Sequence, residues 1–186
     1  MDVEDCGLSK EDILLDREQI AARLVELASE IDQRYRGSNL LIVGVLGGAF
    51  VIMADLCRAI TLSVEIDWLG ASSYGSGSKS SGIVQTTKEL ETNVAGRDVL
   101  LVDDILDTGL TISWLTRLMQ AGGARTVASC VLLRKPATSA RRIEADFVGF
   151  DIPDVFAVGF GLDHAGKYRN LSCVARADKE LARQGN

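Results

Sequence analysis

The sequence predicts an α/β fold with a mostly parallel central sheet, flanking helices and a small C-terminal hood. Between residues 13 and 133, apolar runs typical of buried strands alternate with segments of helical periodicity. After residue 136, short apolar runs at residues 147–150, 156–160 and 171–175 predict the strands of the hood. With 186 residues and 47% apolar side chains, the chain is expected to form one domain around a substantial core.

The N-terminal elements are predicted from a cap and an apolar stripe. A short strand is expected at residues 13–15, and Asp16 followed three residues later by Gln19 is a typical helix start. Gly37 provides the expected end of this helix. Apolar side chains at helical spacing predict its buried face: Ile20, Leu24, Leu27, Ile31 and Tyr35.

The remaining core elements follow in alternation. The predicted strands cover residues 40–45, 62–69, 99–102 and 127–133. A helix over residues 49–60 should bury Phe50, Met53 and Cys57. A second helix, ended by Gly122 and Gly123, should bury Ile112, Leu115, Leu118 and Met119. The expected boundaries are about 38–135 for the core, about 1–15 and 140–186 for the hood, and about 70–86 for a mobile loop.

Composition excludes several classes of protein. The net charge of −6 without a basic stripe argues against a nucleic-acid partner. The longest uncharged run, residues 38–54, contains three glycines and is too short for a membrane span. Four cysteines without C-x-x-C spacing predict reduced thiols that serve as packing residues. Acidic residues after Met1 give no basic secretory region, so a cytoplasmic location is expected.

The most informative segment is the strand at residues 99–102 and the loop that follows it. Asp103 and Asp104 stand at its carboxyl end, where open α/β sheets bind ligands, and carboxylates there need a cation or hydroxyl groups. The next loop supplies a glycine, two hydroxyls and the first amides of a helix, which suit a phosphate: Asp107, Thr108, Gly109, Leu110 and Thr111. Together they predict a phosphosugar site. A response-regulator-like βα unit is the alternative, but it leaves Asp-Thr-Gly-x-Thr without a role.

This segment resembles the phosphoribosyl pyrophosphate motif of type I phosphoribosyltransferases, and the resemblance extends over about residues 13–175. It implies that family's fold, with Asp103 and Asp104 at the ribose and residues 108–111 around the 5′-phosphate. A second turn, at Leu46, Gly47 and Gly48, resembles the one that grips pyrophosphate through a cis peptide. The family usually has Lys or Arg at the position of Gly47, so this chain lacks a cation there. Ser73 and Tyr74 resemble the start of the family's catalytic lid, in a Ser/Gly tract at residues 72–82 before a returning strand at 83–86.

The C-terminal part resembles the hood of bacterial hypoxanthine phosphoribosyltransferases. The resemblance implies that Phe156 stacks on the purine and that the backbone of Ala157 reads the base edge. It further implies that Asp163 helps to bind magnesium and that Arg169 binds pyrophosphate. His164 is expected to be a solvated loop residue, and Trp68 and Trp114 to be packing residues.

Glu144 is the second departure from the family pattern. We take it to occupy the position of a Lys whose ammonium donates to the purine six-oxygen, which a carboxylate cannot do. Lys135, Arg141 and Arg142 are the nearby cations that could substitute for it.

The resemblance implies a reaction and its partners. Phosphoribosyl pyrophosphate and a 6-oxopurine, hypoxanthine and also guanine, would give a nucleoside monophosphate and pyrophosphate. Asp107 would accept the purine N7 proton, and Mg²⁺ would be held by Asp103, Asp104 and Asp163. A homodimer or homotetramer is expected. The alternatives are an altered specificity for xanthine or adenine, and a weakly active regulatory homologue that binds nucleotides or RNA.

Overall fold

A computed structural model of the chain describes residues 3–73, 84–136 and 143–177. Within these residues lie nine strands: β1 Ile13–Leu15, β2 Leu40–Leu46, β3 Glu65–Ser73, β4 Val84–Lys88, β5 Asp98–Leu106, β6 Thr126–Arg134, β7 Phe147–Asp151, β8 Ala157–Val158 and β9 Val174–Arg176. The helices of the same residues are α1 Arg17–Arg34, α2 Phe50–Ala59 and α3 Leu110–Ala121, preceded by 3₁₀ turns at Glu4–Cys6 and Lys10–Asp12.

The main sheet has the strand order β4-β3-β2-β5-β6-β7. All neighbouring pairs are parallel except β3 and β4, which form the predicted antiparallel hairpin. A second sheet, β1-β9-β8, is antiparallel and covers a separate small apolar cluster. The predicted α/β class and mostly parallel sheet are therefore confirmed. One predicted boundary is wrong: β7 pairs with β6 in the main sheet, so this strand does not belong to the hood.

Helices cover both faces of the main sheet because its central strands are apolar on both sides. Ile42 and Leu100 pack in the cluster that contains the buried faces of α1 and α2. Leu41 and Leu101, one residue earlier or later on the same strands, pack in the cluster that contains α3. The Asp16–Gln19 capping box is formed, with backbone hydrogen bonds of 2.8 and 2.9 Å.

Most of the predicted helix faces are confirmed, with two exceptions. All five residues predicted on α1 are buried. On α2, Phe50 is exposed, Cys57 is partly buried, and the buried residues are Ile52, Met53 and Leu56, because the apolar stripe is turned away from the first residue of the helix. On α3, Leu118 is exposed, while Ile112, Leu115 and Met119 are buried. The two tryptophans and the four cysteines pack against apolar clusters, as predicted.

The strand that carries the acidic motif is longer than predicted. β5 continues to Leu106, so Asp103 lies within the strand and pairs with Val131 of β6. On the other side, the pairing of β5 with β2 ends at Val102 and Gly44. The two acids therefore stand just beyond the point where β5 and β2 stop pairing, although β2 itself continues to Leu46 beside β3, and a cleft can open there. None of the helices in the described part of the chain is long and apolar enough to cross a membrane.

Candidate active site

The acidic strand end is buried. Asp103 is 7% exposed, and its Oδ1 accepts a hydrogen bond of 3.0 Å from the backbone N–H of Asp104. Burial, together with the neighbouring charge of Asp104, raises the pKa of Asp103 well above its usual range. Burial also raises the pKa of Asp104, although the field of Arg169 opposes this shift. Two adjacent carboxyl groups held in this way favour a cation or hydroxyl groups as partners.

The turn at residues 46–48 packs directly on this acidic pair. The peptide bond between Leu46 and Gly47 is cis, as the resemblance implies. A Cβ added to Gly48 would lie 1.5 Å from Oδ2 of Asp104, so any side chain there would displace this carboxylate or the turn. A Cβ added to Gly161, whose φ is +100°, would lie 2.1 Å from the carbonyl oxygen of Gly48. The turn is therefore enclosed between β5 and the Gly161 segment, with its backbone close to both.

Arg169 supplies a cation beside the turn. Its guanidinium lies 3.7 Å from the position that a Cβ on Gly47 would take. Nη1 donates to the carbonyl oxygen of Gly161 at 2.6 Å, and Nη2 pairs with Oδ1 of Asp163 at 2.7 Å. Asp163 also accepts a hydrogen bond of 2.8 Å from the backbone N–H of Gly166. Although residue 47 carries no charge, the turn thus has a positively charged neighbour from the C-terminal part of the chain.

The loop after β5 leads into α3 as predicted. Gly109 adopts a φ of +75°, and a Cβ there would lie 2.9 Å from Ile143. Leu110 is the first residue of α3, so the N–H groups at the start of this helix lack partners within the helix. Asp107 and Thr108 are exposed, and Thr111 is partly exposed. The start of α3 therefore combines backbone N–H groups with hydroxyls that are at least partly exposed, which suits a phosphate.

Lys135 and Asp154 join Asp107 at the ends of neighbouring strands. The ammonium of Lys135 lies 3.7 Å from Oδ2 of Asp107 and 3.5 Å from Oδ1 of Asp154. The lysine side chain is only 12% exposed, whereas both carboxylates are more than half exposed. Nearby in the sequence, Phe156 presents an exposed ring, and Ala157 begins the edge strand β8. This group combines a cation, a carboxylate acceptor and an aromatic face.

His164 differs from its predicted role. Its ring lies edge-on to Phe156, with centroids 5.5 Å apart and planes at 88°. Its Nε2 is buried and has no hydrogen-bond partner among the residues that the structure describes. Paired backbone hydrogen bonds between His164 and Lys167 fold the loop back, so the prediction of a solvated side chain is wrong in part.

Glu144 does not occupy the predicted place. It is exposed and lines a surface hollow beside α3, together with Ser113 and Arg117. The groups around Phe156 do not line this hollow. The preceding Ile143 packs beside Gly109 and with the apolar side chain of Ile112, which directs this segment along α3. The interpretation of Glu144 as the residue at the purine six-oxygen is therefore corrected.

Comparisons with known proteins agree with this geometry. A model of the family described as "Phosphoribosyl transferase domain" matches residues 11–165, a range that includes the acidic strand end and both turns. The chain belongs to the phosphoribosyltransferase family. The hypoxanthine-guanine phosphoribosyltransferase of Mycobacterium avium is 43% identical over 178 residues, covering 92% of this chain and 88% of that protein. The protein of the same name from Bacillus subtilis (strain 168) is 44% identical, covering 88% and 91%.

A solved structure shows the same similarity in three dimensions. The crystal structure of a hypoxanthine phosphoribosyltransferase from Staphylococcus aureus aligns with a TM-score of 0.86 at 38% sequence identity. The alignment covers 91% of this chain and 92% of that one. The type I phosphoribosyltransferase fold that the resemblance implied is thus confirmed.

The predicted magnesium ligands do not form a single cluster. Across the described residues, no group of three or more His, Cys, Asp or Glu side chains is arranged to hold a metal. Asp163 is paired with Arg169 instead of with Asp103 and Asp104. The adjacent acids of β5 still fit a divalent cation, because carboxylate oxygens are ligands that Mg²⁺ prefers and its charge would offset the desolvation of two neighbouring carboxyl groups. Magnesium would thus draw most of its ligands from substrate and water.

Of the remaining residues predicted from the sequence, some are described by the structure and others are not. Ser73 ends β3 in the predicted hairpin, whereas Tyr74, Arg141 and Arg142 lie outside the described residues. From the sequence, Lys135 was predicted only as a possible substitute for the missing cation at residue 144, and Asp154 was given no role. A signal for Lys135 was available: it follows β6 directly, as Asp107 follows β5, and carboxyl ends of neighbouring parallel strands lie together.

Proposed function

We propose that this phosphoribosyltransferase acts in purine salvage. It transfers the 5-phosphoribosyl group from phosphoribosyl pyrophosphate to hypoxanthine, and to guanine, giving IMP or GMP and pyrophosphate. The observation that carries the proposal is the placement of Asp107. This carboxylate opens the loop that suits a 5′-phosphate and lies 3.7 Å from the ammonium of Lys135. The names of the relatives from Mycobacterium avium and Bacillus subtilis support the same reaction.

In this proposal, the residues of β5 and its loop bind the phosphoribosyl group. Asp103 and Asp104 accept hydrogen bonds from the ribose hydroxyls, and Thr108, Gly109, Leu110 and Thr111 surround the 5′-phosphate. Leu46, Gly47 and Gly48 present their backbone to pyrophosphate, with Arg169 as the neighbouring cation. Asp103 and Asp104, with Asp163 as a further ligand, would hold Mg²⁺, which when bound would supply positive charge that stabilises the departing anion.

A second group of residues then acts on the purine base. The bond between ribose C1 and the pyrophosphate oxygen breaks, its electron pair leaves with pyrophosphate, and N9 of the purine bonds to C1. Asp107 accepts the proton at N7, which makes N9 more nucleophilic. Phe156 stacks on the ring, and Ala157 presents the backbone of an edge strand to the base. Lys135 donates to the six-oxygen, so a 6-amino group, itself a donor, is disfavoured.

The test compares four bases with one variant. Wild-type protein, phosphoribosyl pyrophosphate and Mg²⁺ are incubated with hypoxanthine, guanine, xanthine or adenine, and the nucleotide formed is measured chromatographically. We expect hypoxanthine and guanine to react fastest; adenine as the preferred base would overturn the proposed specificity. Absence of transfer with every base, accompanied by RNA binding at low salt, would favour the regulatory alternative instead.

Substitution of Asp107 tests the proposed proton acceptor. Asp107→Ala should lower kcat by roughly 100-fold or more, because the N7 proton loses its acceptor. Binding of phosphoribosyl pyrophosphate, measured by calorimetry, should stay close to that of the wild type. An equal loss of binding and turnover would show that Asp107 has a structural role.

We also propose a homodimer or homotetramer that works in the cytoplasm, as the family resemblance implies. Size-exclusion chromatography with light scattering measures the molar mass in solution. A mass of one 20.0 kDa chain at assay concentration would contradict the proposed assembly.

A further inference from the structure

The Lys135 ammonium is shared between two carboxylates from different loops. Asp107 follows β5, Lys135 follows β6, and Asp154 follows β7. All three therefore stand beyond the carboxyl ends of neighbouring parallel strands in the main sheet. Both distances from the ammonium, 3.7 Å to Asp107 and 3.5 Å to Asp154, exceed the 2.7–3.2 Å typical of a direct hydrogen bond. The ammonium therefore lies between the two carboxylates and forms a direct hydrogen bond with neither.

This intermediate position depends on both charges. An ammonium is a compact charge on a flexible stem, so its place is set by the groups around it. If one of the carboxylates lost its charge, the lysine would move toward the other. Without the charge of Asp154, the remaining partner is Asp107, the proposed acceptor of the N7 proton. A close pair between Lys135 and Asp107 would occupy both groups that the base requires.

Asp154 also belongs to the loop that carries the stacking ring. The backbone N–H of Ile152 donates to the carbonyl oxygen of Arg134 at 2.9 Å, which anchors this loop beside the residue before Lys135. Phe156 follows Asp154 by two residues. The pairing of Asp154 with Lys135 thus links the loop that carries the ring to the cation.

We propose that Asp154 is a positioning residue for base recognition. It holds the Lys135 ammonium out of direct contact with Asp107, so that Lys135 stays available for the purine six-oxygen and Asp107 for the N7 proton. This inference rests on the proposed function, and it assigns Asp154 a specific part in selecting 6-oxopurines.

Asp154→Asn tests the inference because it removes the charge and keeps the shape of the side chain. We expect KM for hypoxanthine to rise by about 10-fold, as for loss of a charged hydrogen bond. KM for phosphoribosyl pyrophosphate should change by less than about twofold, because the phosphate-binding residues are not altered. Asp154→Glu, which restores the charge, should return KM for hypoxanthine to within about threefold of the wild type.

Asp151→Asn is the matched control. Asp151 ends β7 and pairs with Arg134 at 2.6 and 2.9 Å, so its substitution also removes an exposed ion pair between the ends of β6 and β7. This variant should keep the hypoxanthine KM of the wild type. Equal changes in the Asp151 and Asp154 variants would overturn the inference, since the effect would then be structural.

A nucleotide pair isolates the contribution of the six-oxygen. We expect Asp154→Asn to weaken binding of IMP by about 10-fold and to leave binding of purine riboside 5′-monophosphate, which lacks that oxygen, unchanged. Equal weakening of both nucleotides would contradict a role through Lys135. The activity of the wild-type protein distinguishes a failure of the proposed function from a failure of the proposed role of Asp154. If the wild type shows no transferase activity, the proposed function fails, whereas normal wild-type activity with an unaffected Asp154 variant refutes this inference alone.

Discussion

The phosphate half and the base half of the candidate site are built differently. The phosphate half consists of Asp103, Asp104, the turn at residues 46–48 and Arg169, and the base half consists of Lys135, Asp154, Phe156 and His164. In the phosphate half, Asp103 is buried and the turn at residues 46–48 closely approaches both Asp104 and Gly161. In the base half, exposed carboxylates flank one nearly buried lysine, and Phe156 presents an exposed ring. The phosphate half is therefore fixed by main-chain packing, and the base half by the balance of side-chain charges.

This difference has a consequence for catalysis. Charge develops at the ribose and pyrophosphate, where preorganised groups stabilise it best. A packed phosphate half keeps such groups in place before the substrate arrives. The base half must admit and release a planar ring, and long side chains with exposed ends allow this. Substitutions in the phosphate half should therefore be more damaging than substitutions of similar size in the base half.

The largest effect is expected from Gly48→Ala. The new Cβ would fall 1.5 Å from Oδ2 of Asp104, so either the turn or the acid must move. A displacement of about 1 Å in a catalytic group costs roughly 100-fold, and we expect kcat/KM for phosphoribosyl pyrophosphate to fall by at least about that factor. Steady-state kinetics measures the loss, and a thermal melt shows whether the variant remains folded.

Gly47→Ala is the control for this experiment. The nearest atoms to its Cβ would belong to Arg169, at an ordinary contact distance of 3.7 Å, and we expect a loss of less than about threefold. The two variants add the same methyl group to neighbouring residues of one turn. Similar losses in both would show that the contact with Asp104 is not what fixes the phosphate half.

A smaller effect is expected from Lys135→Met in the base half. Methionine keeps much of the buried stem and removes the ammonium, so KM for hypoxanthine should rise by about 10-fold, the cost of losing a charged hydrogen bond. Glu144→Gln should leave this KM within about twofold of the wild type, because Glu144 lies beside α3. Measuring KM for hypoxanthine in both variants shows whether Lys135 or Glu144 contributes to binding of the base. A larger effect at Glu144 would restore the interpretation made from sequence alone.

The acids of β5 and the loop that follows them could be predicted because their signal is local in sequence. Asp103, Asp104 and the loop at residues 107–111 are contiguous, and their strand and helix are strongly periodic. What sequence did not reveal was the length of β5, since polar residues at a strand end look like a loop until their pairing with β6 is known.

The base half was harder to predict because it joins residues from separate strand ends. Lys135 and Glu144 are nine positions apart, and only the packing of Ile143 beside Gly109 shows which of them faces the site. Similarly, a single histidine in a glycine-containing loop gives no sequence signal of contact with Phe156. Such contacts depend on how the loop folds back, which local propensity does not determine.

The smallest effect is expected from substitution of His164. This experiment tests whether a side-chain contact in the base half affects binding of the base alone. Edge-to-face aromatic pairs contribute about 0.5–1.5 kcal/mol, so His164→Ala should raise KM for hypoxanthine by roughly threefold through a less ordered Phe156 ring. His164→Phe preserves an aromatic edge and should restore the wild-type KM, whereas His164→Gln, which keeps a polar side chain, should not. Parallel measurement of KM for phosphoribosyl pyrophosphate, expected to be unchanged, shows whether the effect is confined to the base half. If glutamine restores KM and phenylalanine does not, the buried Nε2 must bind a polar group, and ring contact is not the reason that His164 matters.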